Sequence, residues 1–247
     1  MKNVVLVTSV VTLLCLGCLA QAATELDLTV DPFEYTINGA IFSLGTFRST
    51  GTGVFDPFVR LQANRTEQGY NSDLTTFQFD EKAGKWTHAL PLNTVPLVTV
   101  ESAVYREFRL DVNQSGNNPI SLDALKIYQS DDPLLSPYDS GTGRLGGLDP
   151  IYDMGTAFWV KVPSGTGSGS GDMGLFVLDS LFDPAKEYVE LYSFFGANIA
   201  SNDGFEEWAI LASEPPIPPP PVPEPSSLVA LFSGVLALGS LATRKRR

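Results

Sequence analysis

Short runs rich in Val, Phe, Tyr, Ile and Thr recur along this chain, separated by clusters of Gly, Pro, Asn, Asp and Ser. No long window carries the 3.6-residue apolar spacing of an amphipathic helix, so the runs read as strands. They are Leu26–Val30, Phe33–Ile37, Val54–Gln62, Leu74–Phe79, Leu97–Val100, Val104–Val112, Leu122–Tyr128, Ala157–Val162, Met173–Leu178, Tyr188–Ser193 and Glu206–Leu211. The clearest is Val104–Val112. Val104, Phe108, Leu110 and Val112 share a face broken only by Arg106, while Tyr105, Glu107, Arg109 and Asp111 share the other. That alternation predicts one buried and one wet side. Met173–Leu178 is apolar on both faces apart from Gly174, which predicts a central strand covered twice. Many strands and no convincing helix predict an all-β body, a single antiparallel β-sandwich of jelly-roll-like type. Pro163–Asp172 alternates Gly with Ser or Thr. It has the composition of a flexible linker, but its apolar flanks favour a loop joining adjacent strands.

The ends of the chain follow another pattern. Met1-Lys2-Asn3 precedes an apolar run from Val4 to Leu19, and Ala20-Gln21-Ala22 closes it. A positive start, a short apolar core and a small-x-small exit predict a signal peptide over 1–22, cut after Ala22. The alternatives are a retained signal anchor and a lipoprotein acylated at Cys18. At the other end, Pro223-Glu224-Pro225 is followed by Ser226–Thr243, 18 residues without a charge, and then by Arg244-Lys245-Arg246-Arg247. At about 1.5 Å per residue a helix over 226–243 spans about 27 Å, enough to cross a bilayer core. Its basic end belongs on the cytoplasmic side. Residues 23–214 then form an ectodomain, and the proline-rich 215–222 a semi-rigid linker.

The order Pro-Glu-Pro, apolar helix, basic end closely resembles the PEP-CTERM sorting signal of Gram-negative bacteria. The resemblance implies recognition by an exosortase, a membrane-embedded cysteine protease, with cleavage near Pro223, Glu224 and Pro225. It also implies an exopolysaccharide-producing host. The chain would be held in the inner membrane before processing and released to the cell surface or extracellular matrix afterwards. The body is similar to a group of PEP-CTERM surface proteins in such segments as 51–62, 105–113, 121–128 and 201–208. That group has no activity to carry over.

Charge and composition narrow the body's chemistry. The chain's net charge is −12. Lys2 and the four terminal cations take five of 16 basic residues and Glu224 takes one of 28 acidic ones, leaving 11 against 27, a net −16. Such a body repels nucleic-acid phosphates and anionic lipids. Cys15 and Cys18 leave with the signal peptide, so the body has no thiol. Its one histidine, His88, lies near no nucleophile motif, and no Gly-x-Ser-x-Gly elbow or P-loop is present. Catalytic residues are therefore assigned to none, and no resident cofactor is required.

The acids suit calcium. Asp131, Asp132, Asp139, Asp149, Asp153, Asp172, Asn202 and Asp203 sit in loop-like segments, and Asp153 and Asp203 are the chosen metal candidates. The competing reading makes them turn-forming residues that satisfy their own backbone. Among three tryptophans, Trp159 and Trp208 fall in strands and read as core, leaving Trp86 as a candidate platform for a sugar ring. The leading expectation is a non-catalytic surface or matrix module associated with exopolysaccharide or envelope components. A calcium-dependent carbohydrate-binding module comes second, and a glycan hydrolase using two of the many carboxylates comes third.

Overall fold

The computed structural model describes residues 22–45, 55–165 and 171–211. The chain divides into two units, Met1–Ala212 and Ser213–Arg247, and all described residues belong to the first. The segments read as signal peptide (all but Ala22), linker and sorting tail lie outside them. Among the described residues no helix is long and apolar enough to cross a membrane.

The first strands are β1 (Thr24–Asp27), β2 (Glu34–Ile37), β3 (Ala40–Leu44), β4 (Phe55–Leu61), β5 (Asn64–Arg65) and β6 (Glu67–Tyr70). Next come β7 (Leu90–Pro91), β8 (Leu97–Val100), β9 (Ala103–Asn113), β10 (Ile120–Ser130), β11 (Tyr138–Asp139) and β12 (Arg144–Leu145). The last are β13 (Tyr152–Asp153), β14 (Phe158–Val162), β15 (Met173–Leu178), β16 (Tyr188–Phe195), β17 (Ser201–Asn202) and β18 (Phe205–Leu211).

One sheet runs β1-β14-β10-β16-β6, with β13 beside β10 and β7 beside β16. The other runs β2-β3-β15-β9-β18-β4, with β8 beside β9. A shared apolar core joins them. Phe58, Phe108, Leu110, Leu175 and Trp208 come from one sheet, and Leu122, Ile127, Val160, Leu191 and Phe195 from the other. The body is all-β and sandwich-like. Trp208 ties the layers together, its indole Nε1–H donating to Ser193 Oγ at 3.0 Å. A second cluster sits on β6, β10 and β16, with Tyr70, Tyr128 and Tyr192 beneath Tyr138, Leu135 and Leu145 of the long irregular stretch. Tyr138 and Tyr192 stack at 3.8 Å.

Three features depart from the pattern along the chain. Phe108, Leu110 and Val112 are buried as expected, but Val104 is 42% exposed because the near end of β9 runs out beside the short β8. The face expected to be wet is not wet. Glu107, Arg109 and Asp111 are buried, with Arg109 and Glu107 paired at 2.7 Å and the small residues Gly174 and Ala209 in register on either side of Arg109. Leu74–Phe79 forms no strand, since side chains replace its ladder. Gln78 bonds the backbone N–H and C=O of Tyr138, and Phe79 N–H donates to Glu81.

Two topological details also differ. The sandwich is not wholly antiparallel, because β1 runs parallel to β14. The strands that flank Pro163–Asp172 are not neighbours, since β14 and β15 lie in different sheets.

Candidate functional site

The outer face of the second sheet carries the most organised charge. Arg60 on β4 stands opposite Glu207 on β18, and their side chains meet at 2.5–2.6 Å. The Arg60 guanidinium lies 3.7 Å from the Trp86 ring centroid and 4.3 Å from that of Phe205. Lys85 Nζ sits 4.3 Å from the same Trp86 ring. Burial pushes the Glu207 carboxyl above its usual range, against the pull of Arg60. Trp86, the candidate platform, is thus half-buried, with Arg60 stacked on its ring. Trp159 and Trp208 are both buried.

All the loop Asp candidates but Asp203 have their carboxylates engaged locally. Asp153 pairs with Lys126 and accepts the Gly155 N–H at 2.8 Å. Asp203 is exposed at φ +72°, and its carbonyl accepts from Gln62 Nε2 at 3.0 Å. The two metal candidates belong to different places, Asp153 on a strand beside β10 and Asp203 in the turn before β18. Asp131 meets Lys186 at 2.6 Å, and Asp149 takes both prongs of Arg144 at 2.8 and 2.9 Å. Asp132 caps Leu134 N–H, Asp139 holds Gly141 N–H and the Thr142 hydroxyl, and Asp172 accepts from Val112 N–H. Lys186 draws the Asp131 pKa down, and Thr142 does the same for Asp139. Among the described residues no group of three or more His, Cys, Asp or Glu is arranged to hold a metal.

A hollow of about 550 Å³ opens between Leu92, Asn93, Arg106, Pro184, Lys186 and Tyr188. Its cations are already committed: Arg106 donates to the Leu92 carbonyl at 2.9 Å and Lys186 holds Asp131. Among the described residues Glu187 is the one carboxylate on its wall. His88 lies elsewhere, with its ring nitrogens 2.8 Å from the Ala89 carbonyl and 3.1 Å from that of Pro57.

The sequence reading missed the buried acids. Glu67 and Glu206 are 1% and 0% exposed, and Glu190 and Asp172 are also buried. Burial pushes Glu67 up to about 8, Glu190 to about 7 and Asp172 to about 6. A signal for Glu206 was present, because it shares the inward period-2 face with Trp208 and Ile210. Glu67 gave none, lying in the polar run Glu-Gln-Gly-Tyr. Compared with known proteins, the chain matches no family model, no curated protein and no solved structure.

Proposed function

We propose that this chain is an exported, exosortase-sorted surface or matrix protein whose β-sandwich body is a non-catalytic module associated with exopolysaccharide or envelope components. The observation that carries the reading is the three-part tail, Pro223-Glu224-Pro225, the uncharged 226–243 and the basic Arg244–Arg247, opposite a signal-peptide pattern at the other end. Residues 23–214 are the ectodomain on this reading, held off the inner membrane by the 215–222 stalk until the tail is processed.

The body's geometry supports a scaffold. Strand order β4-β18-β9-β15 faces β6-β16-β10-β14, and these eight strands follow the chain in a double Greek-key sequence. That order favours the jelly-roll form, an architecture common among lectin domains. Loop carboxylates spent on ion pairs and turn caps favour a rigid body over a hydrolytic cleft. A folded sandwich on a proline-rich stalk suits presentation to a matrix.

Mass spectrometry of envelope protein from the native host tests the sorting step. The expected product ends near Pro225; recovery of Arg247 in most molecules would reduce the tail to a plain anchor. Co-sedimentation of the body with the host's exopolysaccharide tests the association.

A further inference from the structure

On the inward face of β9 the apolar run Phe108, Leu110 and Val112 meets a charge at Arg106, which the sorting reading does not use. Arg106 is in register with the core residue Val177, while Val104, next on that face, is exposed. The guanidinium therefore stands where the core gives out, on the wall of the hollow of about 550 Å³. Its side chain is only 11% exposed, and a charge so far out of water is costly unless its donors are satisfied.

Its bonding is incomplete. Nη1 donates to the Leu92 carbonyl at 2.9 Å and reaches that of Val95 at 3.5 Å. Nε lies 2.8 Å from Asp179 Oδ1, too oblique for a hydrogen bond, and Nη2 donates to nothing among the described residues. Three more polar groups on the wall have side chains with no partner among the described residues: the exposed Asn93 and Glu187 and the hydroxyl of half-buried Tyr188. Pro91 and Pro184 add apolar surface.

Charge selects among ligands. Asp179 balances Arg106, and Asp131 balances Lys186 at 2.6 Å, which leaves Glu187 as an uncompensated negative charge. A phosphate, sulfate or carboxylate would meet that charge with both wall cations already neutralised. What the wall offers instead is a mixture of donors and acceptors. Arg106 Nη2 and the Asn93 amide donate, Glu187 and the Asn93 carbonyl oxygen accept, and the Tyr188 hydroxyl does both. A sugar ring carries hydroxyls that donate and accept on an otherwise apolar frame, so it satisfies this set without a charge of its own. The hollow has the volume of a small-ligand site.

We propose that this hollow binds a neutral sugar unit of a polysaccharide chain, with Arg106, Asn93, Glu187 and Tyr188 as its hydrogen-bonding groups. The proposal rests on the reading that the body associates with exopolysaccharide, and it gives that association a place. The place lies between β7 and β16 of one sheet and β9 of the other. Trp86, with Arg60 stacked on its ring, takes no part.

The test measures co-sedimentation of the full chain in detergent with the native host's exopolysaccharide, and competition by neutral oligosaccharides released from that polymer. Asn93→Ala and Tyr188→Phe remove polar groups that bond to no other part of the fold. Each should weaken binding about three- to tenfold, the worth of one hydrogen bond, and the double variant should lose more. Arg106→Met should weaken it further, with melting followed alongside because the Leu92 carbonyl also loses its donor. Binding should be the same in about 0.05 M and about 0.5 M salt, because the ligand is uncharged. Equal binding by the wild type and the double variant would overturn the site and leave the association with exopolysaccharide standing. A wild type that does not sediment with the polymer would overturn both. Binding that falls steeply with salt would overturn the neutral ligand, and so would failure of the neutral oligosaccharides to compete. Loss in Trp86→Ala with the double variant unaffected would move the site elsewhere and overturn it too.

Discussion

At the scale of single residues, the two faces of β9 make different demands. Phe108 is fully buried and meets Phe58 edge-to-face at 6.3 Å. Phe108→Ala should cost about 3–5 kcal/mol in denaturant unfolding, from lost transfer energy and the cavity left behind. Its neighbour Glu107 would be a harmless surface position on alternation alone. The structure makes it a buried ion-pair partner of Arg109 instead. Glu107→Gln should therefore cost about 1–3 kcal/mol by weakening a charge-assisted bond at a desolvated site. A loss below about 0.5 kcal/mol, the ordinary surface value, would place that face back in solvent. Gly69 makes the opposite demand. A Cβ there would lie 2.6 Å from Leu61 Cδ2 and 2.7 Å from Glu81 Cγ. Gly69→Ala should overpack the junction of β6 with β4 and destabilise by about 1–3 kcal/mol, measured the same way.

At the scale of elements, most long strands were legible because their inward positions are apolar and their ends are marked by turn residues. Met173–Leu178 coincides with β15 residue for residue, and β9, β10, β16 and β18 agree within about two residues at either end. What failed to show has physical reasons. β6 places Glu67 and Gly69 inward, so it lacks the apolar alternation that announces a strand. Phe79 mimics a strand residue, yet it packs half-buried against Tyr70, Tyr138 and Tyr192 from an irregular segment. The β2–β3 hairpin could have been read. Asn38-Gly39 connects Ile37 to Ala40 with φ of 49° and 86°, the signature of a two-residue primed turn. Gly39→Ala forces a side chain into that left-handed conformation and should cost about 1 kcal/mol or more, read as a lower denaturant midpoint. Gly84→Ala at φ 97°, in a loop with open space around it, makes a useful control for backbone strain alone. Of the candidate site residues, Trp86 and Asp153 could be located in sequence but not their occupation by Arg60 and Lys126. Those partners arrive from β4 and β10, too far along the chain for any local pattern to reveal.

At the scale of the whole molecule, the buried acids reverse the usual acid sensitivity of a fold. Burial raises Glu67 to about 8, Glu190 to about 7 and Asp172 to about 6, from ordinary values of 4.5, 4.5 and 3.8. The folded state thus binds more protons than the unfolded one between those limits. Stability falls as pH rises wherever that holds. The contribution of these groups is fully present near pH 4 and is lost progressively up to about pH 8. Melting temperature should climb by several degrees from pH 8 to pH 5 at constant ionic strength. A flat or opposite trend would mean that these carboxyls are solvated or paired.

The position of β18 has a consequence for when the body can form. The last strand among the described residues lies between β9 and β4, not at an edge, and carries Trp208 into the middle of the core. As the chain emerges from its amino end, β4 and β9 are complete long before Phe205–Leu211 exists to join them. A sheet with its middle strand missing cannot close, and such non-local pairing is slow to nucleate. Closure of this sheet must therefore wait until Phe205–Leu211 has been made. A polypeptide cut short before Phe205 lacks both the link between β4 and β9 and the Trp208 side chain at the middle of the core.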